Sequence, residues 1–260
     1  MTPPTEKVAL VTGATRGVGK GVAIALADAG FAVYATGRSA SRAGLGHGIV
    51  PVVCDATDDG DIAQAFDRIA RERGRLDVLV NSAWGGYEQM VEDGKFTWPA
   101  PFWQQPLFRW EAMITVGVRG AFIASRHAAR LMVPARRGLI VHISSWAAQK
   151  YIGNVLYGLA KTASDKLAAD MAHELKPHEV SVVSIYPGLV RTEAVLGAGI
   201  FDLSNSESPE FIGRAVAALS ADPNVLQRTG QVLVAAALAR EYGFTDIDGK
   251  QPRPLTLSDV

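Results

Sequence analysis

The chain of 260 residues has a single cysteine, Cys54, so it can form no internal disulfide, and a reducing, cytoplasmic-type compartment fits it. It has no excess of charge: 26 Lys and Arg balance 26 Asp and Glu, and no global field draws it to nucleic acid or an anionic membrane. No apolar run approaches the roughly 18 residues of a membrane span. The start, residues 1–7, is polar and lacks the charged-then-apolar layout of a secretion signal, so the cytoplasm is the expected location. The five histidines make no metal pattern; His173 and His178 are five apart, off the one-face spacing of a paired helical ligand, and no metal is expected. Cys54 falls in a predicted buried strand and reads as inert packing. His142 reads as a core histidine with its hydrogen bonds satisfied.

What is present is an alternation. Hydrophobic residues make up 48% of the chain, enough for a large core. Short apolar, β-branched runs at 8–12, 31–36, 49–54, 76–80, 139–143, 180–185 and 231–235 read as strands. Helical patterns fill 17–29, 61–73 and 156–175, the last stopped by Pro177. Strands apolar on both faces need helices on both faces, so a parallel sheet is predicted. Right-handed crossovers then give a single-domain α/β fold over 1–260, a Rossmann-type doubly wound sheet of about seven parallel strands. Two stretches break the rhythm. Residues 84–110 carry Tyr87, Phe96, Trp98, Phe102 and Trp103; residues 193–210 carry Gly197, Gly199, Asn205 and Pro209. Both follow strands, so both are expected as substrate loops at the carboxyl edge of the sheet. The aromatics suit a substrate pocket no better than ordinary packing or a subunit contact.

At the first strand–helix junction stands Thr12-Gly13-Ala14-Thr15-Arg16-Gly17-Val18-Gly19. A pyrophosphate needs close backbone approach, free N–H groups and the positive end of a helix dipole. Glycines at that junction supply the approach, with the spacing Gly-x3-Gly-x-Gly rather than Gly-x-Gly-x2-Gly. The second strand ends Tyr34-Ala35-Thr36-Gly37-Arg38, without the acid that would bind ribose hydroxyls. Arg38 and Arg16 suit an extra phosphate, which favours NADP(H) over NAD(H). Further on, Tyr157-Gly158-Leu159-Ala160-Lys161 places a phenol and an ammonium on one helical face. A cation beside a phenol favours its ionised form, as acid–base work requires. The strand at 139–143 runs into Ser144-Ser145, where a hydroxyl could hold a carbonyl near the tyrosine.

The ordered set of the 12–19 turn, Asn81-Ser82-Ala83, Ile143-Ser144-Ser145, Tyr157 with Lys161, and Pro187-Gly188 with Thr192 resembles the classical short-chain dehydrogenases/reductases over nearly the whole chain. The resemblance implies NAD(P)-dependent oxidoreduction between a carbonyl and an alcohol. Tyr157 would be the acid/base, Lys161 its electrostatic support and ribose ligand, and the serine the group that polarises the reacting oxygen. It implies cofactor contacts for Gly13, Thr15, Arg16, Gly17, Val18, Gly19, Arg38, Asp55, Asn81, Tyr157, Lys161, Pro187, Gly188, Val190 and Thr192. The usual thirteen-residue serine–tyrosine spacing selects Ser144, but alignment on the strand end selects Ser145. Loops absorb deletions more easily than strands shift register, so Ser145 is chosen. The family's relay asparagine corresponds to Gly117. This glycine, the shortened spacing and segments such as Arg130-Leu131-Met132-Val133-Pro134 are similar to the branch called dehydrogenase/reductase family member 1. That branch implies NADP(H)-dependent carbonyl reduction, with steroid-like and xenobiotic ketones in view. The family also implies a homodimer or homotetramer, for which Ala160, Ala163, Ala168 and Ala169 would permit close helix contact. Rival readings are a cofactor-binding sensor or scaffold with impaired catalysis, favoured by Gly117, and a dehydratase or epimerase on the same fold.

Overall fold

Seven short apolar strands pair into one sheet in the computed structural model, which describes residues 6–87, 90–92 and 95–260. They are β1 Val8–Val11, β2 Ala32–Gly37, β3 Ile49–Val53, β4 Val78–Asn81, β5 Gly138–Ile143, β6 Val180–Tyr186 and β7 Val232–Val234. Every neighbouring pair is parallel, in the order β7-β6-β5-β4-β1-β2-β3. The expected doubly wound α/β architecture is therefore present. The order reverses between β1 and β4, and a crevice opens beyond the carboxyl ends of strands at such a switch point.

Alternation along the strands divides the core in two. Ala9 and Val11 face one layer with Val33, Val80 and Val141; Val8 and Leu10 face the other with Leu79, Ile140 and Val182. The first layer packs against α1 (Gly17–Asp28), α5 (Pro209–Ala221) and α6 (Ala235–Tyr242). The second packs against α2 (Asp59–Arg73), α3 (Gly120–Ala135) and α4 (Val155–Leu175). Local signals set the helix ends. Asp58 caps α2 by accepting the Asp61 N–H at 2.9 Å, and Gly74 closes it in the left-handed region at φ 65°.

The structure departs from the sequence reading in the two irregular stretches. Within 84–110 lie the strand pair Val91–Glu92 with Lys95–Phe96 and a helical turn at Phe108–Trp110; residues 88, 89, 93 and 94 of that stretch, like residues 1–5 of the start, lie outside the described residues. The turn continues through a π-helical segment, Glu111–Arg119, into α3. Within 193–210 lie a short helix, Glu193–Ala198, and Ser206–Glu207, which pairs in parallel with Leu189–Val190. Helix α5 begins inside the same stretch, because Ser208 caps it and Pro209 suits its first turn. The alanines of α4 are also reassigned. Ala160 and Ala168 are buried in the chain's own core, at the four-residue spacing that Ser164 and Ala172 share, while Ala163 is half-buried and Ala169 exposed. Ala160 and Ala168 therefore offer nothing to a partner helix.

Helices α1 and α5 approach backbone to backbone. A Cβ on Gly21 would stand 2.3 Å from the Pro209 carbonyl carbon, and one on Gly213 would stand 2.6 Å from the Ala25 Cβ. Gly21→Val should therefore push α5 away and lower stability by about 1–3 kcal/mol, read as a lower denaturant midpoint. An unchanged midpoint would contradict this packing.

Candidate functional site

The turn between β1 and α1 is closed by bare backbone. The Thr12 hydroxyl accepts the N–H groups of Ser82 and Ala83 at 3.0 and 3.1 Å, tying the turn to the end of β4. Gly13 has φ +65°, and a Cβ there would stand 2.5 Å from the Ala83 Cα. A Cβ on Gly19 would stand 2.4 Å from the Gly13 carbonyl oxygen. Thr15 reaches across to β2, its methyl 2.5 Å from where a Gly37 Cβ would lie, and Val18 packs into the core. Arg16 is exposed at the N-cap of α1 and makes no capping bond, and the first turn holds no acid. The Gly17 N–H donates instead to Glu193 Oε2 at 2.9 Å. This helix end thus takes an anion, as its dipole and unpaired N–H groups favour.

The other predicted contacts gather along the same edge. Arg38 is exposed just after β2. Asp55, beyond β3, accepts the Thr57 N–H and hydroxyl at 2.9 and 2.8 Å; these bonds, with the Arg38 charge, hold its carboxyl below the usual carboxylate range. Asn81 is buried at the end of β4, donating to the Ser125 hydroxyl at 3.0 Å. Its Oδ1 has no partner among the described residues, an acceptor a ligand donor would satisfy. The segment 187–192 follows β6 and lies against the glycine turn: the Thr192 methyl is 3.5 Å from where a Gly17 Cβ would stand. The Gly188 N–H donates to Glu207 Oε2 at 2.9 Å, and burial pushes the Glu207 carboxyl up to about 7. Val190 is buried, and Thr192 caps the short helix by accepting the Val195 N–H at 3.3 Å. Pro187 lies in the same segment, half-buried.

At the third corner, Asn154 caps α4 by accepting the Tyr157 N–H at 3.0 Å, and donates to the Trp98 carbonyl at 3.0 Å. Tyr157 and Lys161 share a face, the ammonium 5.8 Å from the phenol ring centre. The Lys161 Nζ donates to the Ile143 carbonyl at the end of β5 at 3.0 Å and lies 4.3 Å from the centre of a Trp84 ring. Burial, opposed by the Asp165 carboxylate, pushes this ammonium down to about 8. The two serines differ. The Ser144 hydroxyl is buried and donates to the Lys161 carbonyl at 3.2 Å; the Ser145 hydroxyl is half-buried and accepts the Ala147 N–H at 3.3 Å. Trp84, Tyr87 and Trp98 surround the Tyr157 ring at centroid separations of 5.8, 6.1 and 5.4 Å. The Tyr87 hydroxyl donates to that of Tyr157 at 3.2 Å.

Sequence reasoning missed Asn154 and the role of Trp84. Asn154 had a signal, an N-cap residue type before an apolar helix. His142 is corrected: it is buried as expected, but neither ring nitrogen has a hydrogen-bond partner among the described residues, and burial pushes it down to about 4. Cys54 is buried, which pushes its thiol up to about 12. Among the described residues no cluster of His, Cys, Asp or Glu could hold a metal ion, and no helix is long and apolar enough to cross a membrane.

A parallel sheet with a glycine-rich turn opening its first helix, and a Tyr–Lys pair at the same edge, is the arrangement that a dinucleotide-dependent oxidoreductase of Rossmann type requires. The chain belongs to the short-chain dehydrogenase family, whose model matches residues 7–198. It is 44% identical to dehydrogenase/reductase SDR family member 1 of Mus musculus, covering 95% of this chain and 85% of that protein. It is 42% identical to the Homo sapiens protein of the same name, covering 99% and 89%. These likenesses put it in that branch of the family. Its fold matches that of 3-ketoacyl-(acyl-carrier-protein) reductase from Brucella melitensis, solved in complex with NADH, with a TM-score of 0.75 at 22% identity over 89% of this chain and 97% of that one.

The His142 environment sets a stability dependence. Its folded-state value, about 4, lies below the ordinary 6.5, so the unfolded chain binds its proton first. The full stability is present above about pH 6.5 and falls as pH drops towards 4, by up to about 3 kcal/mol. His142→Leu should flatten this part of a denaturation profile between pH 7 and 4. A variant as acid-sensitive as the natural chain would contradict it.

Proposed function

We propose that this protein is an NADP(H)-dependent oxidoreductase that moves a hydride between the cofactor and a carbonyl or alcohol substrate, with Tyr157 as acid/base. The observation that carries this reading is the Tyr157–Lys161 face of α4, on the sheet edge that holds the glycine turn and, just after β5, Ser145. The residues present fit a dinucleotide: a cradle that a Cβ at Gly13 or Gly19 would fill, a helix end already holding a carboxylate, and the orphaned Asn81 Oδ1. Gly13, Thr15, Gly17, Val18 and Gly19 would hold the pyrophosphate, and Asp55 and Asn81 the adenosine end. Arg16 and Arg38 would receive the extra phosphate of NADP(H). Lys161, Pro187, Gly188, Val190 and Thr192 would hold the nicotinamide end. When bound, the nicotinamide supplies or accepts the hydride.

The chain's own residues handle the proton. In the reducing direction Tyr157 gives its hydroxyl proton to the substrate oxygen. The Lys161 ammonium, kept out of water, stabilises the negative charge left on the phenol oxygen. Ser145 is the serine favoured, because the Ser144 hydroxyl donates to the Lys161 carbonyl, while Ser145 is half-buried and its hydroxyl accepts the Ala147 N–H, leaving its own proton to donate. It donates to the substrate oxygen and orients it. The loops 84–110 and 193–210 would receive the substrate, and the exposed Phe102, Trp103 and Leu196 favour an apolar ketone. The lone buried Cys54 suits a reducing cytoplasm. A homodimer or homotetramer would use the outward face of α4, where Leu159 and Ala169 are exposed.

Tyr157→Phe should cut turnover of a carbonyl panel by at least about 10²-fold, with NADPH affinity unchanged by titration; a fully active variant would refute the mechanism. Ser145→Ala should lose activity and Ser144→Ala should keep most of it. Glu193→Gln removes a charge from the pyrophosphate position, so it should tighten NADPH binding; weaker binding would tell against that placement. NADPH should bind more tightly than NADH, and a preference for NADH would remove the roles given to Arg16 and Arg38.

A further inference from the structure

The proton that Tyr157 gives away must be replaced from water, and the two sides of its hydroxyl differ sharply in access. The flank of Lys161 that faces Trp84 is closed. Its ammonium is buried, bonded to the Ile143 carbonyl and covered by the Trp84 ring. That indole lies between two glycines. A Cβ on Gly117 would stand 2.9 Å from its Cε3, and one on Gly86 would stand 2.6 Å from its Cζ2. No side chain at position 117 is compatible with Trp84 in this place. The ammonium meets the face of this indole, while the indole Nε1 is buried without a hydrogen-bond partner among the described residues. The other side carries a ring that reaches solvent: Tyr87 is 49% exposed, and its hydroxyl, which burial and the neighbouring Tyr157 raise well above the ordinary phenol range, donates to the Tyr157 oxygen at 3.2 Å.

We propose that Tyr87 is the proton relay of this site, passing protons between bulk water and the Tyr157 oxygen, while Trp84 seals the lysine side. The step balances. Once Tyr157 has protonated the substrate oxygen, the Tyr87 O–H bond breaks as a new O–H bond forms on Tyr157. Water or a buffer acid supplies the proton that restores Tyr87. This rests on the reading of Tyr157 as the acid/base, and it assigns Tyr87 a position in the proton path rather than a contact with the hydride.

The test compares the natural chain with Tyr87→Phe, which keeps the ring and removes the hydroxyl, using NADPH and 9,10-phenanthrenequinone with a ketone panel as probes. The variant should lose about tenfold or more in kcat, show a larger solvent deuterium effect, and recover with rising imidazole concentration. A Tyr87→Phe enzyme equal to the natural one in kcat and solvent effect would overturn the relay. So would a loss that imidazole leaves untouched, since a purely structural defect gives that pattern. A readout independent of turnover tests the seal: a water-soluble amine-acylating reagent should label Lys161 slowly in the natural chain and several-fold faster in Trp84→Ala. Equal labelling would overturn the seal. A natural chain inert towards every carbonyl probe would count against the oxidoreductase reading itself, whereas an active chain indifferent to Tyr87→Phe would count against the relay alone.

Discussion

The Lys161 ammonium is buried, and much of the site is arranged around that charge. Burying a cation is costly unless its surroundings answer it. Here a strand-end carbonyl, Ile143, accepts its hydrogen bond, an indole face lies over it, and Asp165 contributes a favourable field. Each of these groups belongs to a different element, so satisfying one ion fixes α4 against β5 and pins the chain that leaves β4. The Tyr157 ring is set by the same contacts, since Trp84 packs against both residues.

The sheet explains why the remaining groups converge. In a parallel sheet all the strands end at one edge, so the turn after β1, Arg38, Asp55, Asn81, Ser145 and the segment after β6 share a rim without being close in sequence. Direct contacts join the two halves of that rim. Gly13 abuts Ala83, which precedes Trp84, and Gly17 meets Thr192 and Glu193. Behind the rim, Asp246 accepts bonds from Ser208 and Arg191, anchoring the chain that flanks the glycine turn. The anion-seeking end of α1 is thereby linked to the short helix at 193–198, and a dinucleotide phosphate would compete with Glu193 for the same N–H.

How much of this could be read in advance follows from the range of the interactions. The strands and the long α4 were legible because their apolar spacing is local, and the glycine turn because a bare backbone is visible as composition. Tyr157 and Lys161 were legible because one turn of helix makes them neighbours. Trp84 was not, since its importance comes from lying between Gly86 and Gly117 and over Lys161, residues 2, 33 and 77 positions away. The choice between Ser144 and Ser145 was ambiguous in spacing, and the two differ in burial and bonding. The stretch 193–210 reads as irregular because its helix and two-residue strand are too short to carry a periodicity, although Ser208-Pro209 marked the start of α5.

In the proposed reaction hydride leaves the nicotinamide for a carbonyl carbon while Tyr157 supplies the proton. The most direct measurement is the fate of deuterium when the chain is incubated with NADPH deuterated at the nicotinamide C4 and a panel of ketones. Cofactor oxidation should be stoichiometric, with deuterium on the carbinol carbon of the product. Cofactor that binds and keeps its label across the panel, or a product formed with no net oxidation, would contradict it.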